Sequence, residues 1–180
     1  MNIKEFIANL KIPTFYIKKI VQPKKSFFTV DSDGDGKADL VQIKVVNTIQ
    51  PFTLPEKIEL GDFDIKEFDP SEYGKLILDG EEVDISKGSA NLEKILESFK
   101  VYLKKRSYTL EEILGGKAGA ITIAMGDSVT IITQLEDKYL EMMTEGKHIL
   151  TIESEKIPNV EVNFELTKNN LNVKFDPDKF

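Results

Sequence analysis

The sequence predicts an α+β fold, with a mainly antiparallel sheet and three or four helices. Three observations point there. Short runs rich in β-branched and aromatic residues, separated by Gly, Pro, Asn and Asp, dominate the front and the last third of the chain. A few stretches instead repeat their apolar residues at helical spacing. Capping pairs of the form Ser/Thr-x-x-Glu stand at helix starts.

Taken in order, Ile3, Phe6, Ile7 and Leu10 follow the i, i+3, i+4, i+7 pattern of a short amphipathic helix, capped by Asn2 with Glu5 and ended by Pro13. Thr14–Val21 is aromatic and β-branched, which predicts a strand closed by Pro23. Ser26–Val30 and Leu40–Asn47 follow as strands, the second with Val41, Ile43 and Val45 on one face. Residues 48–74 are broken by Pro51, Pro55 and Pro70 and read as short edge strands with an irregular connection. There Phe63, Phe68 and Tyr73 are expected to pin the segment to the core. Lys75–Leu78 and Glu81–Ile85 flank Asp79-Gly80, a pair that tolerates the positive φ of a tight hairpin turn.

Gly88 and Ser89 open the strongest helical pattern, with Leu92, Ile95, Leu96, Phe99 and Leu103 on one stripe. Thr109 with Glu112 is a capping box for a second helix, stopped by Gly115 and Gly116. Ala120–Ala124 and Val129–Thr133 read as strands around Gly126-Asp127. Thr133 with Glu136 predicts a further helix that carries Leu135, Tyr139, Met142 and Met143 on one face and ends at Gly146. His148–Glu153, Val160–Leu166 and Leu171–Phe175 close the chain as strands, with the last turn at Lys168-Asn169-Asn170. The 180 residues read as one domain, 1–180, whose weakest point is Ser86–Ser89.

Composition narrows the function classes. Lys and Arg total 24 and Asp and Glu 31, a formal charge of −7, so the chain lacks the overall basic footprint of a nucleic-acid binder. Residues 1–25 are the exception, with six lysines against Glu5 alone, and read as solvated faces. Cysteine is absent, which removes disulfides, thiolate metal sites and cysteine nucleophiles. Tryptophan is absent too, and with abundant Lys, Glu and Ile the composition is thermophile-like. No apolar run approaches the roughly 20 residues of a membrane helix. The start, Met1-Asn2-Ile3-Lys4-Glu5-Phe6, has no long apolar core or small-residue cleavage site, so a soluble, cytoplasmic protein is the favoured expectation. A cell-surface or virion component is the other reading.

The one chemically specific signal is Asp31-Ser32-Asp33-Gly34-Asp35-Gly36-Lys37-Ala38-Asp39. Carboxylates at alternating positions of a tight loop can converge on one hard cation, and Ca²⁺ takes six to eight oxygens. Carboxylates about 5 Å apart repel by roughly 3 kcal/mol per pair at an effective dielectric near 20, a conflict that a divalent ion removes. Mg²⁺, with strict octahedral geometry and retained waters, suits such a loop less well.

The nine residues resemble the Asp-x-Asp-Gly-Asp-Gly-x-x-Asp calcium loops of EF-hand and dockerin modules and of the integrin-type propeller repeats called FG-GAP. That resemblance implies carboxylate ligands from Asp31, Asp33 and Asp35, a backbone carbonyl from Lys37, a further carboxylate from Asp39, and a sharp turn at Gly36. Position twelve, where an EF-hand needs a bidentate glutamate, is Gln42, and the flanks are predicted strands. The propeller-type loop, which links two strands and ends in Asp-Leu, matches better through Asp39-Leu40. One copy in 180 residues makes no propeller, so the resemblance extends to the loop and not to the fold.

Gly126-Asp127-Ser128 looks like the opening of the GDSL-type hydrolases, but the residues after it read as strand. The only histidine, His148, has Glu145 where those enzymes carry an aspartate. His148 alone at a strand start is expected to be a surface or half-buried residue. Gly115-Gly116-Lys117 lacks the spacing of a phosphate loop. The expectation is therefore a calcium-binding, non-enzymatic structural or interaction module with no catalytic residues and room for a protein partner. The alternative is an enzyme or small-ligand binder whose pocket draws on Ser128, His148 and the acidic segment 62–72.

Overall fold

A computed structural model describes residues 17, 19–54, 68–154 and 159–176. They form a mixed α+β fold dominated by mainly antiparallel sheets, with three α-helices that lie wholly within the described residues and twelve strands among those residues. The strands are β1 (Phe27–Asp31), β2 (Leu40–Val46), β3 (Phe52–Thr53), β4 (Lys75–Leu78), β5 (Glu81–Val83), β6 (Lys100–Leu103), β7 (Arg106–Thr109), β8 (Thr122–Ile123), β9 (Ser128–Gln134), β10 (Gly146–Glu153), β11 (Val160–Leu166) and β12 (Val173–Lys174). The helices are α1 (Ala90–Ser98), α2 (Leu110–Leu114) and α3 (Asp137–Met142).

A six-stranded sheet runs β12-β1-β2-β9-β6-β7, and a four-stranded sheet runs β11-β10-β4-β5. Each draws strands from both sides of residues 86–89. The pair β3-β8 stands apart. Register makes the six-stranded sheet apolar along one row: Phe27 opposes Ile43, Ile43 opposes Ile131, Ile131 opposes Val101, and Val101 opposes Tyr108. Directly opposed residues project to the same face, so this row is a continuous floor.

Two clusters cover that floor. Phe27 and Val41 pack with Leu78, Val83, Val160, Val162, Phe164 and Leu166 of the smaller sheet and with Tyr139, Leu140 and Met143 from α3 and its end. Val101, Leu103 and Tyr108 pack with Ala118 and Ile123. The strict alternation of Val160, Val162, Phe164 and Leu166 does what period-2 patterning dictates: all four are buried, and Glu161 and Asn163 between them are exposed.

Several elements follow the sequence reading. Asp79 (φ 51) and Gly80 (φ 89) make the β4–β5 turn with both residues at positive φ. Ser89 caps α1 by accepting the Leu92 N–H, and Thr109 with Glu112 forms a complete capping box on α2. Leu135, Tyr139, Met142 and Met143 all reach the first core cluster.

Others differ, for tertiary reasons. Residues 17, 19 and 20 are helical, not strand, and Val21 donates to the Ile17 carbonyl four residues back at 3.0 Å. Positions 14–16 and 18, the helix expected at Ile3–Leu10, and Phe63 lie outside the described residues. The α1 pattern extends on paper to Leu103, but the helix stops at Ser98. Phe99 turns to φ −58, ψ 121, and Lys100–Leu103 becomes β6, wedged between β7 and β9. An available gap between strands there outweighs helical periodicity. Thr133 belongs to β9, and its hydroxyl donates to the Ile95 carbonyl. Glu136 instead is the N-cap of α3, with no side-chain cap bond. Of the strands around Gly126-Asp127 the first shrinks to Thr122–Ile123 and the second lengthens to Ser128–Gln134, and the two do not pair: β8 joins β3 and β9 joins β2 and β6. The last strand shrinks to Val173–Lys174 and runs parallel to β1; Lys168–Asn170 is a turn, as expected, and leads the chain from the smaller sheet to the larger. The segment before β4 has a 3₁₀ turn at Pro70–Glu72, and Phe68 lies against Tyr73 with ring centroids 5.3 Å apart.

Candidate metal centre

β1 and β2 pair antiparallel with Val30 opposite Leu40, so the acidic loop is the connection of a β-hairpin, as its flanks predict. The Asp39 N–H closes the hairpin on the Val30 carbonyl at 2.9 Å. Gly34 (φ 84) and Gly36 (φ 92) both take left-handed backbone, which lets the loop fold back on itself twice within three residues.

Each aspartate turns its own stretch of loop. Asp31 accepts the N–H groups of Gly34 (2.6 Å) and Gly36 (2.9 Å), one on each carboxylate oxygen. Asp33 accepts the Asp35 N–H at 3.1 Å, and Asp35 accepts the Lys37 N–H at 2.7 Å. These are Asx turns in succession, and they hold the side chains inward. The result is a group formed by Asp31, Asp33 and Asp35, each offering one oxygen, all within 4.8 Å of one another. Two oxygens on one Ca²⁺ at about 2.6 Å stand at most about 5.2 Å apart, so the three fit a single calcium shell.

The five predicted ligands do not all converge. Asp39 takes the Ser32 N–H at 2.8 Å on one oxygen and the Ser32 hydroxyl on the other, so its carboxylate is committed to the loop entrance. The Lys37 side chain is exposed. Gln42 is buried within β2 at 7% exposure.

The loop is also tied to the C-terminal strand. Asn172 donates to the Gly36 carbonyl at 3.3 Å and accepts from the Thr29 hydroxyl, and the Phe175 N–H reaches the Asp31 carbonyl at 3.2 Å. Nothing in the sequence advertised Asn172. Its role comes from the parallel docking of β12 on β1, a contact between residues about 140 positions apart.

The hydrolase-like residues separate. Ser128 opens β9 in the six-stranded sheet, and His148 lies on β10 in the other sheet. Asp127 accepts the Ala124 N–H at 2.8 Å and pairs with Lys104 at 3.4 Å; both hold its carboxyl below the usual value. His148 is fully buried, where a surface or half-buried position was expected, because β10 turns it toward Phe164 and the Asp79 turn. It borders an open trough of about 890 Å³ shared with Ile77, Asp79, Ile149 and Thr151, and Ser128 is not in that trough. Both ring nitrogens of His148 already face acceptors, so neither is free to take a proton from a substrate.

No helix of the described residues is long and apolar enough to cross a membrane. No protein-family model and no curated protein matches this chain.

Proposed function

We propose that the chain is a non-enzymatic structural or interaction module in which Ca²⁺ staples the β1–β2 hairpin. The observation that carries this is the convergence of Asp31, Asp33 and Asp35 within 4.8 Å at the tip of that hairpin. The loop resemblance adds the Lys37 carbonyl as a further ligand, and Asp39, whose carboxylate is held by Ser32, as a ligand through water. A hard, oxygen-only donor set on a Gly-containing loop fits Ca²⁺ better than Zn²⁺, which favours nitrogen and sulfur. Bound there, the ion supplies charge compensation that the three clustered carboxylates lack, and the links from Gly36 and Asp31 to β12 pass the restraint to the C-terminal strand.

Thermal melting with and without metal is the test. A site filled to 100 times its Kd stabilises by about 2.7 kcal/mol, or roughly 5–11 °C in a chain of this size. EDTA should lower the midpoint and added Ca²⁺ should restore it. A midpoint indifferent to both refutes the proposal.

A further inference from the structure

β11 ends the smaller sheet, paired with β10 on one side and with no strand of the described residues on the other. At seven residues it is the longest edge strand of the two larger sheets; β7 has four, β5 three and β12 two. The Tyr139 hydroxyl already donates to the Glu82 carbonyl of β5, and the Glu112 side chain accepts the Thr109 N–H of β7. Backbone groups along an antiparallel strand alternate between its two sides. The Glu165 N–H points away from β10, since it donates to the Pro23 carbonyl at 2.8 Å. By the same alternation the N–H and carbonyl groups of Glu161 and Asn163 point outward, and no strand of the described residues takes them. A hollow lies on each side of this edge. The open trough of about 890 Å³ reaches β11 at Glu161, Asn163 and Glu165. On the side of Val162, a notch of about 200 Å³ separates the edge from Ile17, Val21 and Pro23.

We propose that the open edge of β11 docks an extended segment of a partner protein, which joins the smaller sheet as a fifth strand and alternates Lys or Arg with aliphatic residues. Main-chain bonds to Glu161 and Asn163 hold such a strand, and the two hollows read its alternate side chains. Side chains opposite Glu161 and Asn163 enter the trough, and the one opposite Val162 enters the notch against Ile17 and Val21. The charge of the trough selects cations for the first set. Asp79, Glu153, Glu161 and Glu165 line it against Lys147. Lys24 offsets Glu165 at 3.4 Å, but Glu153 and Glu161 have no ion pair among the described residues. A second copy of this chain is the poorer occupant, because it brings the same carboxylates to the same edge. The acidic loop joins β1 and β2 of the other sheet, so docking at β11 stands without the metal.

The test titrates the full chain, followed by NMR, with an end-capped peptide that alternates valine and lysine, and with the same peptide carrying glutamate for lysine. The lysine peptide should bind saturably at or below about millimolar concentration and slow exchange of the Glu161 and Asn163 amide protons by about tenfold or more. The glutamate peptide should bind at least about tenfold more weakly. Asn163→Pro removes one outward N–H at an edge position, where proline is tolerated, and should weaken the lysine peptide about tenfold or more. If Asn163→Pro does not fold, Glu161→Lys on the exposed face takes its place and should narrow or reverse the preference between the two peptides. No saturable binding, equal affinity for both peptides, or binding that leaves the two amide protons unprotected overturns the proposal. So does a dimer in sedimentation that Asn163→Pro or Glu161→Lys dissolves, which would assign the edge to a second copy.

Discussion

Asn170 is the most exacting test of how the two sheets are joined. Its side chain is 2% exposed and makes bonds in three directions. Nδ2 donates to the Phe27 carbonyl on β1 and to the Glu165 carbonyl on β11, both at 3.1 Å, and Oδ1 accepts the Thr167 N–H. β1 and β11 belong to different sheets, so one amide group bridges them. Replacing Asn170 with Ala removes partners from two carbonyls and one N–H, the Phe27 carbonyl in a buried site and the other two in partly buried ones. At about 1 kcal/mol for each lost bond, with some added desolvation penalty, the loss is about 3–4 kcal/mol. For a chain of this size that is roughly 6–16 °C in melting midpoint. Asn170→Asp should cost more at neutral pH, because a carboxylate cannot donate and would face two carbonyl oxygens. Urea unfolding followed by circular dichroism measures both variants, and the m-value should stay at the parent's if only the folded state is altered. If both variants fall within about 1 kcal/mol of the parent, Asn170 does not bridge the sheets and the placement of the Thr167–Asn170 turn is wrong.

The remaining predictions concern the loop, the core and the acid limb. Asp31→Ala and Asp35→Ala should abolish Ca²⁺ stabilisation in calorimetry, whereas Lys37→Ala should leave it intact, since only a backbone carbonyl is used there; the reverse order rejects the ligand assignment. Tyr139 is 1% exposed, and its hydroxyl accepts the Asp84 N–H at 2.8 Å and donates to the Glu82 carbonyl at 3.2 Å. Tyr139→Phe should therefore lose about 1–3 kcal/mol in chemical denaturation, with near-native far-ultraviolet dichroism. The carboxyls of Asp84, held down by the Ser86 hydroxyl and N–H, and Asp127, held down by the Ala124 N–H and Lys104, both lie below the usual carboxylate range in the fold. A depressed carboxyl contributes stability above its unfolded value and loses it as pH falls through the folded one. The midpoint difference between parent and Asp127→Asn should thus be constant above about pH 5 and shrink below about pH 4.

Local signals in the sequence carried some elements intact and misled on others. Asp79-Gly80, the Ser89 cap and the Thr109–Glu112 box are decided within four residues, because turn dihedrals and capping bonds close over that distance. The stripe from Leu92 to Leu103 was equally regular but gave way at Phe99. Val101 and Leu103 are instead buried as rungs between β7 and β9. Thr133 likewise had the spacing of a cap and became a strand residue bonded to the Ile95 carbonyl. The buried amides of Asn47, Asn91 and Asn170 left no pattern in the sequence, since each serves backbone groups that become neighbours only after folding.

The acidic loop divides along the same line. Its Asp-x-Asp-Gly-Asp spacing determined by itself that a hairpin tip would fold inward on three carboxylates, because Asx turns and glycine dihedrals act between residues two to five apart. Tertiary structure alone decided that Asp39 would bind Ser32 and stand apart from the three. It alone placed Asn172 and Phe175 against the loop through the parallel β12–β1 pairing. It also turned the lone His148 from an expected surface or half-buried residue into a fully buried partner of Asp79, because a hydrogen bond spanning 69 residues depends on β10 pairing with β4, a contact made only on folding.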